Sequence, residues 1–119
     1  MNHKSIPHVS LALSPSDIDV LALVVKHSPA LIKSADFNMD AIRDCHMQAS
    51  ACFCNAAAYR PMSVPELDAM IYCLSLACEA ISGELSVDKS LISALTTHTL
   101  AIRALLDRFQ TAYSRLTGQ

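Results

Sequence analysis

Leu91, Leu95, His98, Ile102, Leu105, Phe109, Ala112 and Leu116 follow one another at alternating intervals of four and three. That spacing lines up one face of an α-helix, and a strand, with its period of two, cannot present these residues together. Eight positions in an unbroken a/d series make it the strongest periodic signal in the chain. A helix from just after Ser86 to about Leu116 is about thirty residues long and spans ~45 Å. Its apolar face needs other helices to pack on. The other helices run about twenty residues or fewer, so the last one is expected to project past them by a turn or more.

Three earlier segments carry helix start and stop signals. Ser14-Pro15-Ser16-Asp17 offers a hydroxyl at the N-cap, proline at the first helical position and an acid in the first turn. The first helix runs through Ile18, Leu21, Ala22 and Val25 to about His27, where Pro29 kinks or ends it, with Ala30–Lys33 as a further turn. The second follows the Asp36–Asn38 region, with Asn38 as cap. Ile42, Cys45, Ala49, Cys52, Ala56 and Tyr59 form its seam, small residues dominate it, and Pro61 closes it. Ser63-Val64-Pro65-Glu66 is a capping box that opens a third helix bearing Leu67, Met70, Ile71, Leu74, Ala77, Cys78 and Ile81, with Gly83 at its end. The expected fold is all-α: an up-down bundle of about four helices with a long C-terminal helix, one domain over residues 1–119, and residues 1–13 as an extended N-terminal arm.

Apolar residues make up 52% of the 119 positions and charged ones 17%. Typical domains have about 45–50% and about 25%. The chain thus carries more apolar surface than one small domain hides, and a homodimer or a standing partner is the simplest outlet. The last helix shows where: beside its main face runs a second apolar edge of Ile92, Thr99, Leu100, Leu106 and Tyr113. Ile92, Leu100, Arg103, Leu106, Gln110 and Tyr113 are the candidate dimer seam or partner-binding residues. The alternating Val9, Leu11 and Leu13 of the arm form a second candidate surface. Alternatively, the first helix and this arm cover the extra edge within one subunit.

Other functions find little support. Net charge is −2 and the nine bases are scattered, so no dense positive face is available for direct nucleic-acid binding. The longest apolar run, Val20 to Val25, is far short of the ~20 residues of a membrane span. The Val9–Leu13 patch is too short for a signal-peptide core, which points to the cytoplasm and reduced thiols. Of five cysteines, Cys52 and Cys54 fall on nearly opposite helix faces and Cys73 and Cys78 point apart. Folding the second helix onto the third brings Cys45, with its neighbour His46, level with Cys78; a redox pair or incomplete metal site there is the alternative to small core hydrophobes. His98 reads as a core histidine of the last seam. The serines favour caps and turns, the carboxylates cluster at helix starts, and two glycines build neither a nucleophile elbow nor a phosphate cradle. No enzyme class, cofactor or metal is indicated.

The stretch MNHKSIPHVSLALSPSDIDVLALVV, together with the chain's size, mild acidity, cysteine content and helical layout, resembles the small quorum-sensing anti-activators of pseudomonads. The similarity is one of general character over the whole chain and carries no residue roles. It implies a dimeric helical protein that binds a LuxR-type transcription factor such as LasR and blocks that factor's dimerisation and DNA binding. A cysteine-based redox or metal sensor, or a structural subunit of a larger assembly, remains the alternative.

Overall fold

The computed structural model describes residues 7–36 and 38–118. The first six residues of the expected arm lie outside them. Along the described residues run β1 (His8–Val9), α1 (Pro15–Ala35), α2 (Met39–Ala57), β2 (Met62–Ser63), α3 (Val64–Ser82), α4 (Lys89–Thr96) and α5 (Thr99–Thr117). The chain is mostly helical, as the patterning demands.

The caps form where the sequence places them. Ser14 Oγ accepts the Asp17 amide at 3.1 Å, and the Ser14 amide donates to Asp17 Oδ2 at 3.0 Å. Asn38 Oδ1 accepts from the amides of Asp40 and Ala41. The Ser63 amide donates to Glu66 Oε1 at 2.8 Å, while Ser63 Oγ accepts the Glu66 amide at 3.4 Å. Each bond satisfies an amide that the first helical turn otherwise leaves without a partner. Gly83 ends α3 in the left-handed region at φ 84°. At the end of α2 a non-glycine does the same: Tyr59 has φ 57°, and the Arg60 amide reaches back to the Asn55 carbonyl at 2.7 Å.

Two expectations need correction. α1 does not end near His27; it passes through Pro29 to Ala35. Proline has no amide to offer the carbonyl four residues back, that of Val25. The Ser28 hydroxyl donates to that carbonyl at 2.8 Å and takes the missing role. Leu31 and Ile32 beyond the proline therefore still reach the core.

The long C-terminal helix is also two helices, α4 and α5, broken at Thr97 and His98. His98 has φ −114° and ψ 22°, and its amide reaches only three residues back, to the Leu95 carbonyl. The cause is local composition. In the run Thr96-Thr97-His98-Thr99, hydroxyls donate to the carbonyls of Ile92, Ser93 and Thr96, at 2.6, 3.3 and 2.7 Å. Such bonds compete with the backbone ladder, and β-branching lowers the helical preference further. The apolar series survives the break, because Leu95 before it and Ile102 after it are both fully buried. The expected overhang does not: α5 has 19 residues, the same as α2 and α3.

α3 is the central helix. Leu67, Met70, Cys73, Leu74 and Ala77 along it are wholly buried. α2 packs on α1 and α3, whereas α5 packs chiefly on α3 and less on α1, so α2 and α5 flank the α1–α3 pair. Short links between α1 and α2 and between α2 and α3 fold successive helices back on each other, the arrangement of an antiparallel bundle. The arm crosses the bundle as β1, which pairs antiparallel with β2, His8 opposite Ser63 and Val9 opposite Met62.

Candidate functional site

The second apolar edge of the C-terminal region is only partly open. Leu100, at the first turn of α5, is 83% exposed. Arg103 and Gln110 are also exposed. Ile92 on α4 is half-buried. Leu106 and Tyr113 are half-buried and pack against the core. The arm is likewise engaged within the subunit: Val9 and Leu11 pack against the core and Leu13 belongs to it. The structure thus gathers Leu106, Tyr113 and the three arm residues onto the bundle, and leaves Leu100, Arg103 and Gln110 facing outward.

Arg108 explains how the arm is held, and nothing local in the sequence marked it. Read from the sequence, it belongs to a solvated edge with Arg115. In the fold its guanidinium meets Asp17 Oδ2 at 3.2 Å and donates to the Ala12 carbonyl. Asp17 is the acid of the α1 capping box, so one arginine fastens α5 to the arm and to the start of α1. The backbone bond from Ser14 is the main reason the Asp17 carboxyl titrates below its ordinary value; burial opposes it, and the Ser14 hydroxyl and then Arg108 add smaller contributions.

A second apolar surface lies on α2, which contributes only Ile42, Ala49, Cys52 and Ala56 to the buried set. On its outer face Met39 is 63% and Met47 57% exposed, with Arg43 between them. Residues 39, 43 and 47 are each four apart and share one stripe of the helix. The signal was in the sequence, since neither methionine belongs to the Ile42–Ala56 seam.

The third feature is a cluster where α1, α2 and α3 meet. Ser28 of α1 is fully buried, and its Oγ lies 2.7 Å from His46 Nδ1 on α2. Ser28 has one hydroxyl proton, already donated to Val25, so in this contact the imidazole Nδ1–H donates to the serine oxygen. Nε2 is then the ring's acceptor nitrogen. Next to His46, the half-exposed Cys45 lines a cavity of about 300 Å³ with Gln48, Asp68 and Tyr72.

The partner of Cys45 is Cys73 and not Cys78. Of the cysteines on α3 it is Cys73, wholly buried, whose thiol influences the titration of Cys45. Cys78, five residues further along α3, is turned about 140° round the helix. It feels the charge of Arg103 on α5. α2 ends at Ala57, and the chain turns through the left-handed Tyr59 before Pro61. The hydrogen bond from Cys73 lowers the titration point of Cys45 against burial and the Asp68 charge. The same bond, with burial, raises that of Cys73. Cys52 is different: burial, with Glu66, pushes its thiol up to about 12, and it donates to Met62 Sδ at 3.4 Å. It is a core residue.

Among the described residues no three His, Cys, Asp or Glu side chains converge in a way that would hold a metal ion. None of their helices is long and apolar enough to cross a membrane. Compared with family models, curated proteins and solved structures, the chain has no significant match.

Proposed function

We propose that this chain is a non-enzymatic cytoplasmic regulator that acts by binding another protein. In this reading it sequesters a LuxR-type quorum-sensing transcription factor such as LasR and blocks that factor's dimerisation and DNA binding. The observation that carries the protein-binding role is the pair Met39 and Met47, large apolar side chains left exposed on one stripe of α2. Methionine is flexible and polarisable and suits a surface that moulds to a partner. Arg43 between the two adds the kind of side chain that anchors interfaces. Leu100, with Arg103 and Gln110, supplies a separate patch on the opposite flank. A homodimer seam there, completed by the half-buried Ile92, Leu106 and Tyr113, leaves the α2 face open for the partner. The choice of partner class rests on the resemblance in general sequence character.

The test separates the two surfaces. Light scattering of the full chain at high micromolar concentration should give a dimer, and Leu100→Glu should return it to monomer with helical content unchanged. Met47→Glu should leave the dimer intact yet weaken inhibition of the transcription factor's DNA binding at least about tenfold, the effect of losing ~1.4 kcal/mol. If the intact chain does not reduce that DNA binding, the reading fails.

A further inference from the structure

We propose that the groove between α2 and α3 receives an arginine from a helix of the partner protein, with an apolar residue one turn away on that helix resting on Met47. This rests on the reading of α2 as the partner-binding face and names what that face recognises. The groove holds a cavity of about 300 Å³. Pro65, Asp68, Ala69 and Tyr72 form its α3 wall, and their spacing of three, four and seven residues puts them on one stripe of that helix. Asp44 and Gln48, one turn apart, form the α2 wall. At about 100° per residue round α2, Asp44 lies about 60° from Met47. The cavity therefore opens beside the exposed methionine stripe, where Met47 is 57% and Tyr72 39% exposed.

Charge and shape define the occupant. Asp44 and Asp68 are exposed and, among the described residues, form no ion pair. No lysine or arginine lines the cavity. Two carboxylates without a cation favour a positive group from outside, and the Tyr72 ring beside them adds the attraction of an aromatic face for a cation. Burial first, then neighbouring negative groups at Cys45, Asp36 and Glu79, raise the titration point of the Tyr72 phenol, which marks the surrounding field as negative. The chain's own Arg43 does not serve here, since it pairs with Asp40 at 3.9 Å on the far side of Met47 from the cavity. A small amine would leave Met47 uncovered. Arginine on a helix satisfies the whole surface: its planar head stacks on the ring and offers donors on separate edges to two carboxylates, while its stem covers Pro65 and Ala69. Residues one turn apart on a helix stand about 5–6 Å from each other, the same relation that Asp44 bears to Met47.

The test uses the full-length chain and a fluorescein-labelled, hydrocarbon-stapled helical peptide of about fourteen residues, in which one arginine stands one turn from a leucine on each side. Fluorescence anisotropy should show saturable binding, and amide shifts of the isotope-labelled chain should concentrate on residues 44–48 and 65–72. Replacing the arginine with citrulline keeps the shape, removes the charge and should weaken binding at least about tenfold, or ~1.4 kcal/mol. The doubly substituted chain, Asp44→Asn with Asp68→Asn, should lose as much with an unchanged circular dichroism spectrum. Raising the salt from about 0.05 M to about 0.5 M should weaken the arginine peptide and spare the citrulline peptide. No binding, equal affinity of the two peptides, full affinity of the doubly substituted chain, or shifts away from the groove overturns the proposal. The citrulline comparison uses the native chain, so a poorly folded variant does not rescue it. No transcription factor is present in the assay. Peptide binding as expected with no inhibition of DNA binding defeats the proposed function and leaves the groove standing. Inhibition that survives loss of both carboxylates does the reverse.

Discussion

Ser28 is the smallest unit on which the architecture of this chain turns. A proline in mid-helix leaves a carbonyl without its amide, a cost of about 3 kcal/mol or more when uncompensated. Here the residue just before Pro29 bonds that carbonyl and also receives His46 from the neighbouring helix. Ser28→Ala removes both contacts from a wholly buried position and should destabilise the fold by about 1–3 kcal/mol. The two roles separate in a double-mutant cycle. Pro29→Ala restores an amide at position 29, so Ser28→Ala should cost about 1 kcal/mol less in that background than in the native one. Urea denaturation of the four proteins measures the coupling. Equal costs in both backgrounds would show that the hydroxyl does not substitute for the missing amide. The sequence showed only the proline, and a rule about prolines ends the helix there. What keeps α1 going is a side-chain proton whose acceptor only the folded geometry defines.

The same contrast governs whole elements. The four-three series along the C-terminal region correctly marks one apolar face, and Leu91, Leu95, Ile102, Leu105, Phe109 and Ala112 are all buried. It says nothing of axial continuity: the bend at Thr97 and His98 keeps the apolar members of the series on the core, while His98, expected as a core histidine, is only half-buried at the break. Replacing Thr97 and Thr99 together with alanine removes two of the competing hydroxyl bonds and two β-branched side chains. Helical ellipticity at 222 nm should rise, and amide exchange over residues 97–100 should slow severalfold as the two helices merge. Unchanged exchange there would assign the break to packing around His98 and away from the threonines. Helix starts were legible for a related reason: the Ser14, Asn38 and Ser63 caps complete themselves within three residues. The candidate sites were less so. The sequence placed Cys45 beside His46, but which α3 cysteine it faces depends on where the chain turns between α2 and α3, and the left-handed Tyr59 at that turn carries no sequence signal. Exposure of Met39 and Met47 followed from the seam they do not join, whereas the partial burial of Leu106 and Tyr113 against the core depends on the packed fold.

At the scale of the molecule, the arm and the last helix are held together by one side chain. Arg108 reaches Asp17 across 91 residues and the Ala12 carbonyl across 96, distances at which no local pattern can announce a pair. The contact closes the chain's early segment onto its last helix, and its strength depends on pH through Asp17. The folded carboxyl titrates below its ordinary value of 3.8, held there chiefly by the Ser14 amide against burial, with smaller contributions from the Ser14 hydroxyl and Arg108. A depressed carboxyl contributes stability above its unfolded pKa and loses it as pH falls through the folded one. The contribution is therefore complete at neutral pH, begins to fade below about pH 4 and is lost as pH falls through the folded carboxyl's titration point. Asp17→Asn keeps an oxygen that can accept the Ser14 amide but removes the charge. At pH 7 it should cost about 1 kcal/mol, the combined scale of a partly exposed ion pair and an acid at a helix N-terminus. As pH falls and the folded carboxyl protonates, the gap between the variant and the parent should close, since protonation makes the parent's side chain neutral as well. Arg108→Met should lower stability at pH 7 and speed amide exchange over residues 9–13, because the arm loses its bond at Ala12. Thermal melts of the three proteins from pH 7 down through the acid range, with exchange mapped across the arm, decide the matter. A gap between Asp17→Asn and its parent that does not narrow as pH falls would mean that the asparagine disturbs the cap itself, and that the charge is not what fastens the arm.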